Sequence, residues 1–181
     1  MIGTGASLDG SSGAYLDMGT STMLDIAGAF TLSTWYKKTA YTGTWEIFMS
    51  KCALDACNYE LAIDGPNQDI EGVQNGSLIE SGIVPTLNQW HHVVEVSNGV
   101  NVYFYVDGAW VATKTGGPGS VLTGTHFDLG REQLYGENFS GILDEARLSN
   151  VARSADWIAA EYNNQSSPAT FYTLGAEDGG Q

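Results

Sequence analysis

The sequence predicts an all-β fold: an antiparallel two-sheet jelly-roll sandwich with one short C-terminal helix. Three observations predict it. Apolar and polar residues alternate along most of the chain with the two-residue period of a β-strand. Asp-Gly and Asn-Gly pairs, the strongest short hairpin signals, punctuate the alternating runs. Glycine is abundant, 23 residues against 4 prolines in a chain of 181, as many tight turns require. That length suits a single domain over 1–181, with 1–5 and 177–181 as flexible ends.

The elements follow in order. Asp9-Gly10 is the first turn signal. Phe30, Leu32, Thr34 and Tyr36 then alternate with Thr31, Ser33 and Trp35. Asp64-Gly65 and Asn75-Gly76 are further hairpin signatures. The run from Trp90 to Val96 is apolar on both faces, as in a central strand covered on both sides. Asn98-Gly99 joins it to Val100–Asp107, so 90–97 and 100–107 form an antiparallel hairpin. Asp107-Gly108 then turns the chain into Trp110–Thr115. A helix is expected over 154–164, with Ser154 as N-cap and Asp156 in the first turn. Trp157, Ile158 and Tyr162 face the sandwich, and Asn163-Asn164 with Pro168 stop the helix. Phe171–Ala176 reads as a last strand. No internal repeat is present.

Composition excludes several function classes. Twenty-one acidic residues against 7 basic ones give a net charge of −14. Such a surface repels phosphate backbones, so no nucleic-acid partner is expected. No apolar run approaches the ~18 residues of a membrane span, so no membrane insertion is expected. Residues 1–5 lack the basic start and apolar stretch of a signal peptide. The expected setting is one domain of a larger multidomain chain, secreted or at the cell surface. The acidic surface suits either hard cations or solubility in a salty medium. Cys52 and Cys57 either close a small disulfide loop, which fits an oxidising compartment, or stand as two free thiols. No His or Cys lies near them at zinc-finger spacing.

Several segments together resemble the laminin-G-like, concanavalin A-like lectin and glucanase superfamily found in bacterial secreted proteins. They are Leu8-Asp9-Gly10, Tyr15–Gly19, Phe30–Trp35, Asn88–Val93, Tyr105–Gly108 and Gly141–Leu148, followed by the exit through Ser154 to a short helix. Asn88-Gln89-Trp90-His91-His92-Val93 is the most specific, and the resemblance covers 6–176. It implies one concave and one convex sheet, with ligand sites on the concave face or at loop rims. The superfamily hosts lectins, adhesion modules, carbohydrate-binding modules and some enzymes, so the fold does not choose among them. A narrower resemblance links Leu129–Gly136 to the calcium-ligand strand and loop of the pentraxins. Glu132 and Gln133 match the first two ligands, and Leu134 stands where an Asp is needed. Asp55 and Asn58 lie where that family supplies an Asp-Asn pair.

These resemblances imply two candidate calcium sites. One uses Asp55, Asn58, Glu132 and Gln133; the other uses Asp144 with carbonyls from a segment near Asp9. Alternatively, Asp144 or Glu145 pairs with Arg147 or Arg153, and Asp55 is merely solvated. Related glucanases carry a Glu-x-Asp-x-x-Glu strand, which is absent here. Asp69 and Glu71 are the nearest pair; they share one side of a strand about 7 Å apart and read as a solvent-facing acidic edge. His91 and His92 point to opposite faces, cannot chelate one ion, and read as structural. His126 has no evident partner. Candidate ligand contacts are Tyr103 and Tyr105, which share a strand face, Tyr135 and Asn138 in one loop, and Tyr41 near another. The expected activity is non-catalytic binding of a polysaccharide or glycoconjugate, helped by calcium. The alternatives are a module binding a surface protein and a divergent glycoside hydrolase or polysaccharide lyase.

Overall fold

A computed structural model describes residues 5–53, 56–74, 77–116 and 121–172. Its strands are β1 (Ala6–Asp9), β2 (Leu16–Asp17), β3 (Phe30–Lys37), β4 (Glu46–Ala53), β5 (Ala56–Ile63), β6 (Ile70–Gln74) and β7 (Ser77–Glu80). They continue as β8 (Trp90–Ser97), β9 (Asn101–Val106), β10 (Ala109–Thr115), β11 (Asp128–Leu129), β12 (Arg131–Glu132), β13 (Glu137–Asn138) and β14 (Ser140–Ser149). One six-stranded sheet has the order β1-β14-β3-β8-β9-β10, and the other β2-β11-β4-β5-β6-β7. β12 and β13 form a separate two-stranded ribbon. Every ladder is antiparallel.

The expected sandwich is present, and its core forms where the alternating apolar faces meet. Phe30, Tyr36 and Phe104 from the first sheet pack against Phe48 and Tyr59 from the second, with Phe139 closing one end. Tyr36 and Phe48 have ring centroids 4.6 Å apart, and Phe48 and Phe139 meet edge to face at 5.2 Å. Glu95 enters this interior from β8 across the sandwich, and a Cβ at position 72 would lie 2.6 Å from its carboxylate. Any side chain at position 72 would make that carboxylate shift.

Helix α1 (Ala155–Ser166) covers the outer face of the first sheet. Ile158 is fully buried against Val94, Val96 and Tyr105, and Tyr162 stacks on Trp35 at 5.5 Å. The helix runs two residues beyond Asn164, because Ile158, Glu161 and Gln165 are buried on one face. Packing of that face outweighs the weak helix propensity of the asparagines. Phe171 ends a short second helix, α2 (Pro168–Phe171), rather than opening a strand; residues 173–176 of the expected strand lie outside the described residues. Ser154 caps α1 by accepting the Trp157 N–H at 3.2 Å. Changing Ser154→Ala should cost about 1 kcal/mol. A thermal melt should show this as a fall of roughly 2–4 °C.

The turn signals divide. Asp107-Gly108 is a two-residue hairpin: Val106 faces Ala109, and both turn residues have positive φ, 51° and 77°. The 98–101 segment joins β8 to β9 as expected, with the Asn98 side chain accepting from the Val100 and Asn101 N–H groups. Asp9-Gly10 is not a hairpin, since β1 and β2 lie in opposite sheets and the turn carries the chain across the sandwich. Asp64-Gly65 opens a longer loop, because Ile63 pairs with Ile70. Asn75-Gly76 lies outside the described residues. His91 and His92 point apart as expected. His91 bonds Asp107 at 2.8 Å, while His92 is buried beside Trp35 and its pKa is pushed down to about 4 by that burial. Among the described residues no helix is long and apolar enough to cross a membrane.

Candidate functional site

Alternation along β5 and β6 sorts their side chains. Tyr59, Leu61 and Ile63 enter the core, so Glu60 and Ala62 face outward. Ile70 enters the core as well, so Asp69 and Glu71 face outward. Ala62 pairs with Glu71, which makes Glu60 and Glu71 diagonal neighbours on the outer face of the second sheet. Ser50 pairs with Glu60 and shares that face. The Ser50 hydroxyl donates to the Arg131 carbonyl at 2.8 Å, which brings the β12–β13 ribbon over the same area. Glu132 and Glu137 on the ribbon therefore face Glu60 from above.

This cluster of acids is buried. Glu71 and Glu60 are 0% and 4% exposed, and Asp69 is 2% exposed. The expectation that Asp69 and Glu71 form a solvent-facing edge is thus corrected: β7 pairs outside β6, so β6 is not an edge. Burial removes water from carboxylates that repel one another, and both effects favour the protonated form. Burial, then Asp64 and Asp69, push Glu71 up to about 8. Burial, then Glu71, hold Glu60 well above the usual carboxylate range. Glu137 is raised by burial and by Glu132. Both Glu71 oxygens lack a hydrogen-bond partner among the described residues.

Cys52 and Cys57 face one another across β4–β5 and are disulfide-bonded. Cys52 Sγ lies 3.3 Å from Glu60 Oε2. A disulfide sulfur has no proton to donate, so this contact is a hydrogen bond only when the Glu60 carboxyl keeps its own.

The ribbon tip carries the exposed groups. Glu132 Oε2 accepts from the Leu134 and Tyr135 N–H groups at 2.6 and 2.7 Å and so shapes the turn. Leu134 and Tyr135 stand 52% and 55% exposed beyond it. Asn138 donates to the Gly136 carbonyl at 2.7 Å, beside the half-buried Glu137. Arg131 lies over the Tyr15 ring, its guanidinium carbon 3.2 Å from the centroid.

The other expected contacts lie elsewhere. Tyr105 is 7% exposed beneath α1, and Tyr103 packs against the same helix-covered cluster, so their face is not an open concave surface. Tyr41 packs on the core and donates its hydroxyl to the Pro85 carbonyl.

Several of the residues expected to bind calcium are already engaged in hydrogen bonds. Asp55 lies outside the described residues. Asn58 Oδ1 is taken by the Leu122 N–H at 2.6 Å, and Gln133 is exposed. Glu132 Oε1 is buried with no hydrogen-bond partner among the described residues, which leaves a lone pair for a cation. Asp144 Oδ2 is likewise buried with no partner among the described residues. Its neighbour from the N-terminal segment is Gly5 rather than Asp9, which pairs with Ser140. A Cβ at position 5 would lie 2.8 Å from the Leu143 carbonyl, so Gly5 makes that close approach possible. These oxygens match calcium's preference in kind. Arg147 pairs with Glu145 and Glu161, not with Asp144.

Sequence reasoning passed over Glu60 and Glu137. The available signal was a lone acid within an apolar strand, Glu60 in Tyr59–Ile63.

Comparison with solved structures supports the architecture. Domain 4 of AbnA, a GH43 extracellular arabinanase from Geobacillus stearothermophilus solved with arabinotriose, is 19% identical; the match covers 87% of this chain and 76% of that one, with a TM-score of 0.68. A heptameric SAP-like pentraxin from Limulus polyphemus is 18% identical over 82% of this chain and 74% of its own, at 0.62. Trypanosoma rangeli sialidase is 15% identical and matches 92% of this chain at 0.69, but only 28% of the sialidase is covered. No curated protein sequence matches the chain. A family profile, described as the concanavalin A-like lectin/glucanases superfamily, matches residues 9–159. With that match over most of its length, and a sandwich of two antiparallel sheets beneath it, the chain belongs to the concanavalin A-like lectin/glucanases superfamily.

Proposed function

We propose that this domain is a non-catalytic carbohydrate-binding module of a larger secreted or cell-surface protein, with its ligand seated against the β12–β13 ribbon. The observation that carries the reading is the ribbon tip. Tyr135 offers an exposed ring, with the amide of Asn138 and the carboxyl of Glu137 close by in the same ribbon. A sugar needs this combination of an apolar face and a few placed polar groups. Structural neighbours support the class: one was solved with arabinotriose, and a Bacteroides ovatus neighbour is described as a putative carbohydrate binding protein. Glu60 and Glu71, whose carboxyls burial favours in the protonated form, are covered from solvent and support the site from below without reaching the ligand. Calcium belongs to this proposal in a supporting role. Glu132 Oε1 at one site, or Asp144 Oδ2 at the other, would help to hold it, and its charge would fix the ribbon or the N-terminal strand in place.

A glycan-array screen, run with calcium and with chelator, tests the proposal. The expected result is saturable binding to one glycan class, weakened about tenfold by Tyr135→Ala, or ~1.4 kcal/mol. Loss of binding with chelator would assign calcium to the site. A blank array from folded protein, or binding indifferent to Tyr135, would overturn the assignment. A second reading rests on Glu71: an acid still protonated near neutral pH beside other carboxyls is what glycoside hydrolysis requires. Release of reducing ends, abolished by Glu71→Gln, would select it.

A further inference from the structure

Asp17 and Asp128 sit directly opposite one another in the β2–β11 ladder. Like charges at such a position repel. The pairing continues beyond the ladder, where Met18 N–H donates to the Phe127 carbonyl and Phe127 N–H to the Gly19 carbonyl. This places His126 and Asp128 on the same side of their segment by alternation. His126 Nδ1 lies 2.8 Å from Asp17 Oδ1, so the histidine does have a partner. One donor atom from each of Asp17, His126 and Asp128 falls within 4.8 Å of the others.

The Asp128 carboxyl is the decisive group. Its side chain is 2% exposed, and its Oδ2 accepts from Arg131 Nε at 2.8 Å. The other oxygen, Oδ1, is buried with no hydrogen-bond partner among the described residues. Arg131 thus fixes the carboxylate plane and leaves one lone-pair site vacant. An outer hydrogen bond of this kind orients a metal-ligating carboxylate.

We infer that Asp17, His126 and Asp128 form a binding site for a divalent transition metal of the zinc class. One imidazole nitrogen with two carboxylate oxygens is a donor set suited to zinc or cobalt; calcium takes oxygen alone. Tetrahedral zinc holds its ligand atoms about 3.3 Å apart, given bond lengths of ~2.0–2.1 Å. Asp17 and His126 are 40% and 39% exposed; Asp17 Oδ1 also accepts from the Gly19 N–H at 2.7 Å, so closing that gap onto the fixed Asp128 falls to its other oxygen and to the His126 ring. Solvent fills the fourth position. The metal replaces the proton shared between His126 and Asp17, relieves the facing carboxylates, and ties the two-residue strand β2 to β11. This site is separate from the ribbon tip, and it stands whether or not a sugar binds there.

The test uses the whole chain stripped with chelator, then dialysed against Zn²⁺ and, separately, Co²⁺. The expected result is about one zinc per chain, undisturbed by excess Ca²⁺, and visible cobalt absorption of a low-coordinate site. His126→Gln and Asp17→Asn both alter exposed side chains, so the fold survives them. Each should weaken zinc binding at least about a hundredfold. Circular dichroism would confirm folding, and zinc should raise the melting temperature of the parent but of neither variant. No zinc uptake near one per chain would overturn the inference, as would uptake that survives both substitutions.

Discussion

Lys38→Met should destabilise the domain by about 3–5 kcal/mol, the cost of leaving a buried charge without its partner. Lys38 and Glu46 are both fully buried and paired with one another. Lys38 also donates to the Ser140 carbonyl at 2.7 Å, and its ammonium lies 4.8 Å from the Phe139 ring centroid. Glu46 accepts from the Ser140 N–H at 3.1 Å and from the Thr42 hydroxyl at 2.9 Å. The pair therefore ties the β3–β4 connection to the start of β14, across more than 90 residues of chain. With lysine removed, Glu46 must take up a proton or draw in water. At this chain length the melting temperature should fall by roughly 6–20 °C. The double variant Lys38→Met/Glu46→Gln keeps an acceptor for Ser140 and removes the orphaned charge. Its loss should be well below the sum of the single losses, which a double-mutant cycle would read as coupling. A Lys38→Met protein within about 1 kcal/mol of the parent would show that the ion pair contributes little.

What the sequence made legible follows the range of each interaction. The strands at 30–37 and 90–97 were readable because alternation is a property of the strand itself. Asp107-Gly108 was readable because a type I′ turn is set by its own two residues. Asp9-Gly10 carries the same signal and a positive φ at Gly10, yet it joins opposite sheets. Such a pair reports a local backbone bend, not which strand the next segment will join. Tyr103 and Tyr105 show the same limit. Alternation places them on one face, but the helix that covers that face arrives some 50 residues later in the chain. The candidate site was the least legible part. Glu60, Glu71, Glu132 and Glu137 come from separate segments, and only the β5–β6 register and the fold of the ribbon bring them together. Glu71 lies in β6 and Asp69 just precedes that strand, but their burial depends on β7 and the ribbon, which no local pattern encodes.

Glu71→Gln should remove much of the stability loss that the parent shows between acid and mildly alkaline pH. The Glu71 carboxyl titrates at about 8 in the folded chain, against an ordinary 4.5. Between those values the folded state holds a proton that the unfolded state has released. Stability from this group is therefore complete below pH 4.5 and is lost as pH rises through about 8. At 1.36 kcal/mol per pKa unit the upper figure is roughly 5 kcal/mol, which solvent relaxation reduces to a few. Glu60, raised in the same direction, leaves a residual slope of the same sign in the variant. His92 opposes both: its pKa of about 4 against 6.5 means stability is lost as pH falls between those values. Urea unfolding at pH 5.5 and pH 8 is the measurement. The parent should be weaker at pH 8, and Glu71→Gln should exceed it there by about 2–4 kcal/mol while differing little at pH 5.5. A Glu71→Gln advantage no larger at pH 8 than at pH 5.5 would contradict a protonated Glu71. The same substitution bears on function, because an amide imitates the neutral carboxyl as both donor and acceptor but cannot release a proton. A binding module whose sugar sits at the ribbon tip keeps it when the buried Glu71 becomes glutamine, whereas a hydrolase that relies on the Glu71 proton retains binding and loses turnover.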